Sequence, residues 1–135
     1  MSVKFYELNV VDENEMKYAV IISKSAGKWV FCQHKQRDTW EFPGGTREID
    51  ESIDETAKRE LFEETGAVQF DIRRLFSFEA FGKYGMVYFA DIEKFDELPE
   101  SEIKCIELFD TLIVNWTYPE IQPYLIEYYL SKKNL

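Results

Sequence analysis

Between Gly45 and Ala67 the chain reads GTREIDESIDETAKRELFEETGA, and its second half holds three carboxylates, Glu60, Glu63 and Glu64. Glu60 and Glu64 are four apart and Glu63 is three from Glu60, so on a helix all three project from neighbouring positions. Like charges at this spacing destabilise a helix, and Glu63 and Glu64 fall where the helix dipole disfavours negative charge. Stability alone does not account for the arrangement. A divalent cation reverses the argument: Mg²⁺ takes oxygen ligands and binds through a few carboxylates plus substrate phosphates. Arg59, beside the acids, is suited to orienting one of them. Just upstream stands Trp40-Glu41-Phe42-Pro43-Gly44-Gly45. Its proline fixes φ and its two glycines open conformations closed to other residues, so a backbone group of this turn can approach a ligand closely. The bland alternative is a solvated acidic helix face, and the full spacing weighs against it.

These side chains need a helix to aim them. Ser52 followed by Glu55 is a capping box, Ile53, Ala57 and Leu61 form an apolar stripe, and Gly66 suits a left-handed helix end. The spacing predicts a helix over 53–64. Further strands are predicted at 16–23 and 29–34 about the turn Ser25-Ala26-Gly27, and at 103–109. Residues 74–81 and 86–92 read as a hairpin about Gly82-Lys83-Tyr84-Gly85. Thr117 and Glu120 read as a second capping box opening a C-terminal helix to about Ser131, with Pro119 and Pro123 in its first turns. Mixed strands around two helices imply a layered α/β/α arrangement.

Gly45, Glu51, Arg59, Glu60, Leu61, Glu63, Glu64 and Gly66 together resemble the Nudix hydrolase box, G-x5-E-x7-R-E-U-x-E-E-x-G-U with U bulky aliphatic; only Ala67 departs from it. The resemblance implies an α/β (α+β) fold: an α/β/α sandwich with a mixed sheet, a catalytic helix after a Gly-rich loop and a C-terminal helix. The stretch 33–45 with Tyr88-Phe89-Ala90-Asp91-Ile92-Glu93 is further similar to MutT-type nucleoside triphosphatases of Gram-positive bacteria. That branch includes 8-oxo-dGTP diphosphatases and enzymes that remove pyrophosphate from RNA 5′ ends.

Carried over, the resemblance makes Glu60, Glu63 and Glu64 ligands of Mg²⁺ or Mn²⁺, with the Gly45 carbonyl as a further ligand. Glu60 or Glu63 is the general base, and Arg59 completes the catalytic set. MutT-type enzymes also take a metal ligand from a later loop, for which Glu100 and Glu102 are the candidates. Base recognition by stacking points to Phe42, Phe81, Tyr84 and Trp116 as walls, with Asn115 on a purine edge and Gly44 and Gly45 along the substrate. Lys35, Arg37 and Lys83 are candidates to meet phosphates, with a solvated surface role favoured for Lys35. His34 reads as a strand-end residue. The implied reaction converts a nucleoside triphosphate to monophosphate plus pyrophosphate. The alternatives are an RNA 5′-triphosphate pyrophosphohydrolase, a hydrolase of ADP-ribose or nucleotide sugars, and a nucleotide-sensing module without turnover.

Length and composition bound the partners. The 135 residues are expected to form a single domain, 1–135. A net charge of −10 argues against extensive nucleic-acid or anionic-membrane binding, and the acidity concentrates in the box. No apolar run is long enough to span a membrane and no signal-peptide pattern appears. Cys32 and Cys105 are expected to be buried free thiols in a reducing cytoplasm. With His34 the only histidine, a His-based metal site or a Ser-His-Asp triad is disfavoured. The chain is expected to be a monomer or a homodimer.

Overall fold

A computed structural model describes residues 3–133. Its strands are β1 (Lys4–Tyr6), β2 (Met16–Ser25), β3 (Lys28–His34), β4 (Gly44–Thr46), β5 (Ala67–Ala80), β6 (Lys83–Phe95) and β7 (Ile103–Phe109). Its α-helices are α1 (Ile53–Thr65) and α2 (Gln122–Lys133), and a short 3-10 turn (Glu13–Glu15) precedes β2. The sheet runs β1-β5-β6-β2-β3-β7, with β4 added on β2. β2 and β6 are parallel and the other pairs antiparallel, so the sheet is mixed.

Strand β2 shows why the sheet has a helix on each face. Ala19 and Ile21 point into the core that holds Ile53, Ala57 and Leu61 of α1. Val20 and Ile22 point into the other core, with Phe31, Phe76, Phe78 and Leu125, Ile126 and Tyr129 of α2. A strand buried on both faces reads as a continuous apolar run, as Ala19 to Ile22 does. The expected sandwich and mixed sheet are therefore present. A polar network fixes α1 against the sheet: Arg74 on β5 donates to Asp54 at 2.8 Å and to Glu13 at 3.1 Å, and the Tyr88 hydroxyl on β6 donates to Asp54 at 2.5 Å.

Three expectations are corrected. The β5–β6 connection is two residues, Phe81 and Gly82, both at positive φ (53° and 75°). This is the dihedral signature of a tight hairpin turn. Lys83, Tyr84 and Gly85 belong to β6, opposite Ala80, Glu79 and Phe78. The second capping box does not form: α2 starts at Gln122, after Pro119. The Thr117 hydroxyl instead meets Thr39 Oγ1 at 2.8 Å, and Thr117 N–H donates to the Trp40 carbonyl at 2.8 Å, so the cap residue is taken up by another loop. Cys32 and Cys105 are both free thiols, Cys32 buried as expected but Cys105 only half-buried.

The feature that positions the site is a split in the sheet. β2 and β3 pair only near their turn, at Lys24–Trp29 and Ser25–Lys28. Beyond it residues 41–46 enter the opening. Cys32 and Glu41 exchange backbone hydrogen bonds of 2.9 and 3.0 Å, Ile21 N–H donates to the Pro43 carbonyl at 2.8 Å, and β4 then lies antiparallel to β2 with Ala19 opposite Gly45. The glycine turn is thus held on both sides by strands.

Candidate active site

Helix α1 is built as its local sequence dictates. Ser52 Oγ accepts from Glu55 N–H at 3.1 Å while Glu55 accepts from Ser52 N–H at 2.8 Å. Ile53, Ala57 and Leu61 are fully buried. Gly66 ends the helix at φ 79°, and a Cβ there would stand 2.6 Å from the Asp96 carbonyl, so the site needs both the left-handed backbone and the missing side chain. With its stripe buried, α1 turns Glu60, Glu63 and Glu64 towards the split.

Arg59 organises the near side. Its Nε and Nη2 donate to Glu51 at 2.6 and 2.9 Å, a two-pronged contact, and Nη1 donates to Glu63 at 3.3 Å. Nη2 also reaches the Thr46 carbonyl at 3.1 Å, tying the helix to the end of β4. The Glu60 carboxylate occupies the space beside Gly45, and a Cβ at that glycine would overlap it. Glu64 accepts from Gly44 N–H at 2.9 Å. On its far side stand Cys32 and Glu41, cross-strand neighbours on β3 and the inserted segment. Cys32 Sγ and one carboxylate oxygen each from Glu41 and Glu64 lie within 4.8 Å of one another, a group able to hold a metal ion.

The electrostatics follow from this crowding. Burial, and then the charge of Glu63, push Glu60 up to about 7, against the pull of Arg59. Burial pushes Glu64 up to about 8; the Gly44 N–H opposes the rise, and Glu60 and Glu41 add to it. Burial also raises Glu41, and it raises the Cys32 thiol well above its ordinary value. Glu51, hydrogen-bonded to Arg59, is instead held down at about 2. Buried carboxylates that resist ionising together are a donor set whose mutual repulsion a divalent cation would relieve. The oxygen-rich donor set suits Mg²⁺ or Mn²⁺; the Cys32 sulfur is the one soft donor beside it.

A cavity of about 230 Å³ opens against the glycine turn, lined by Tyr18, Glu41, Gly44, Gly45, Phe78 and Tyr118 among others. Gln122, at the start of α2, holds its wall: its amide accepts from Phe42 N–H at 2.8 Å and donates to the Phe42 carbonyl at 3.3 Å.

The remaining predicted residues divide between rim, core and elsewhere. Arg37 lies 5.9 Å over the Tyr118 ring and Lys83 5.9 Å over the Tyr18 ring, which places both cations at the rim. Phe42 lines the cavity but is 1% exposed, its ring 4.4 Å from that of Phe31, so it is a core residue first. Trp116 packs on Phe31 and Phe42, Tyr84 faces Tyr6, and Phe81 sits exposed on the hairpin turn. The Asn115 amide is spent on the Asp38 carbonyl at 3.1 Å. None of Phe81, Tyr84, Asn115 and Trp116 lines this cavity. Glu100 and Glu102 are exposed and outside the Cys32–Glu41–Glu64 group; Glu102 pairs with His34 at 3.2 Å, and Lys35 N–H donates to the Glu102 carbonyl. Sequence reasoning missed Glu41, Cys32, Tyr18, Tyr118 and Gln122. Only Glu41 carried a signal: an acid next to a glycine turn and flanked by aromatics.

The family model described as NUDIX domain matches residues 13–118. A protein of Bacillus subtilis (strain 168), YtkD, whose name provisionally assigns it as an 8-oxo-dGTP diphosphatase, is 39% identical over 85 residues. That match takes in 60% of this chain and 53% of YtkD, so the chain spans about half the length of that relative. The crystal structure of the Bacillus subtilis pyrophosphohydrolase BsRppH superposes with a TM-score of 0.80 at 26% identity, covering 97% of this chain and 90% of that one. The NUDIX domain of Shewanella oneidensis NrtR, crystallised with ADP ribose, has a TM-score of 0.68 at 18% identity, over 94% and 93% of the two chains, and shows the shared fold.

Proposed function

The chain belongs to the NUDIX domain family, and on that premise we propose that it is a metal-dependent pyrophosphohydrolase of nucleoside triphosphates, with oxidised purine nucleotides such as 8-oxo-dGTP as its substrate class. The observation that carries the reading is the convergence of Glu60, Glu64 and the Arg59-held Glu63 beside Gly44 and Gly45, at the mouth of a cavity. That cavity is smaller than the roughly 300 Å³ at which ligand pockets begin, so it suits the base and leaves the phosphates outside, against the glutamates.

Glu60, Glu63, Glu64 and the Gly45 carbonyl would hold Mg²⁺ or Mn²⁺, with Glu41 placed to join through Glu64. When bound, the metal would neutralise phosphate charge and acidify a water. Arg59 keeps Glu63 and Glu51 in fixed rotamers, so the glutamates need no reorganisation when substrate arrives. Glu60 or Glu63 accepts the proton of the attacking water. One water is consumed and one phosphoanhydride bond between the α and β phosphates is broken, giving NMP and pyrophosphate. Arg37 and Lys83, cations at the rim, would meet the phosphate chain. Tyr18 and Tyr118 offer ring faces to the base, over a floor that includes the buried Phe78.

A second reading, removal of pyrophosphate from triphosphorylated RNA 5′ ends, is favoured by the likeness to BsRppH over nearly the whole chain. A substrate panel with Mg²⁺ and Mn²⁺ decides, comparing kcat/KM for 8-oxo-dGTP, normal (d)NTPs, ADP-ribose and triphosphorylated RNA. Preference for 8-oxo-dGTP over dGTP supports sanitation of oxidised nucleotides, and equal rates remove it. Nucleotide binding without phosphate release from any substrate overturns the enzymatic reading in favour of a sensing module. The reading places the protein in the cytoplasm, where nucleoside triphosphates are.

A further inference from the structure

At the far end of α2 from the glycine turn lies a second and larger cavity, of about 500 Å³. It is bounded by Arg73 and Phe76 of β5, by Glu7 in the loop after β1, and by Tyr128, Tyr129, Lys132 and Lys133 of α2. We propose that this groove is a second binding site, for one nucleotide unit: a phosphate held by Arg73, Lys132 and Lys133, with a base against Tyr128.

Charge is the first argument. The chain as a whole carries −10, yet this groove brings together three bases and one acid. Among the described residues none of the three bases enters an ion pair, so a phosphate would displace no carboxylate from them. The dipole of α2 accounts for lysines in its last turn. It does not account for Arg73, which arrives from the sheet.

The second argument is the lining. Each base rests on a ring: Lys132 lies 5.4 Å over Tyr128, Lys133 5.8 Å over Tyr129 and Arg73 4.9 Å over Phe89. The rings are themselves rigid, Tyr128 stacked on Phe5 at 4.0 Å and Tyr129 on Phe89 at 5.7 Å. A charge-assisted contact to phosphate is stronger than an exposed contact to a ring face. A phosphate therefore draws Lys132 off Tyr128, and the ring surface it leaves is free for a base, while Tyr129, 6% exposed, is a wall of the groove. Basic residues interleaved with aromatics are how nucleotides are held without reading their sequence. The volume lies within the roughly 300–1,000 Å³ usual for small-ligand sites.

The nucleotide unit has two sources: a free mononucleotide, or a later nucleotide of a strand whose 5′ end occupies the first cavity. Both cavities lie on the α2 face of the sheet, and Phe76 and Phe78, two residues apart on β5, line one each.

The test is equilibrium binding without divalent cations. It needs no turnover, so a negative hydrolysis panel leaves it intact. AMP is titrated by calorimetry and a fluorescent 5′-triphosphorylated oligonucleotide by anisotropy, against wild type, R73E/K132E and the charge-keeping R73K/K132R. Thermal melts check that the variants fold. Charge reversal should weaken binding at least tenfold and lower the salt slope by about two, with R73K/K132R near wild type. Loss confined to AMP assigns the site to free nucleotides, and loss confined to the oligonucleotide assigns it to a strand. Equal binding of both probes by wild type and R73E/K132E overturns the proposal.

Discussion

With Glu60 near 7 and Glu64 near 8, metal binding through both would be a proton-releasing event. At pH 7 about half of Glu60 and about nine-tenths of Glu64 carry a proton, and a cation that needs both ionised displaces roughly one and a half protons. The apparent Kd for Mg²⁺ should then tighten about a hundredfold from pH 6.5 to 8.5 and level off above that. Calorimetric titration in buffers of different ionisation enthalpy counts the protons directly. The same groups tilt the metal-free protein's stability. A carboxylate raised above its unfolded value stabilises the fold below that value, and the contribution is lost as pH rises through the folded one. Over pH 6–8.5 the metal-free melting temperature should therefore fall, and Mg²⁺ should restore it. Glu51, held near 2, is ionised in both states across this window and adds no slope. A Mg²⁺ affinity that changes less than about threefold between pH 6.5 and 8.5, with no proton release, would refute the claim that burial and mutual repulsion of these glutamates define the site.

Three substitutions test the parts separately. Glu64→Gln keeps an acceptor for Gly44 N–H but removes a buried charge. Metal-free melting at pH 8 should hold or rise while kcat drops about a hundredfold or more; a lower melting temperature with normal turnover contradicts both halves. Arg59→Lys loses the two-pronged contact with Glu51 at 2.6 and 2.9 Å, and urea unfolding should show a cost of about 1–2 kcal/mol. No measurable cost would reduce that contact to a surface pair. Gly45→Ala drives a methyl into the Glu60 carboxylate; steady-state kinetics should show kcat falling about a hundredfold with the far-ultraviolet circular dichroism unchanged, and full activity would mean the turn can step aside.

Helix α1 was legible because everything that specifies it is local. The cap, the fourfold stripe and the terminal glycine lie within 15 residues, and observed bounds of Ile53–Thr65 differ by one residue from those expected. Strands β3 and β7 were legible for the same reason, as short β-rich runs between turns. The split sheet was not. Its hydrogen bonds join Phe42 to Gln122 across 80 positions and Cys32 to Glu41 through a reversal of the chain, and no local pattern encodes such partners. That one piece of register decides how the 40–45 stretch works. The Cys32–Glu41 bridge sets the Glu41 carboxylate beside Cys32 and Glu64, and the alternation of side chains then sends Phe42 to the opposite face, into the α2 core. Read without it, Phe42 is a candidate wall for the base and Glu41 carries no assigned role. On the proposed function, substrate choice would rest less on the box than on the side chains that line the cavity. Changes at Tyr18 or Tyr118 should redirect specificity while leaving the glutamates and Arg59 where they are.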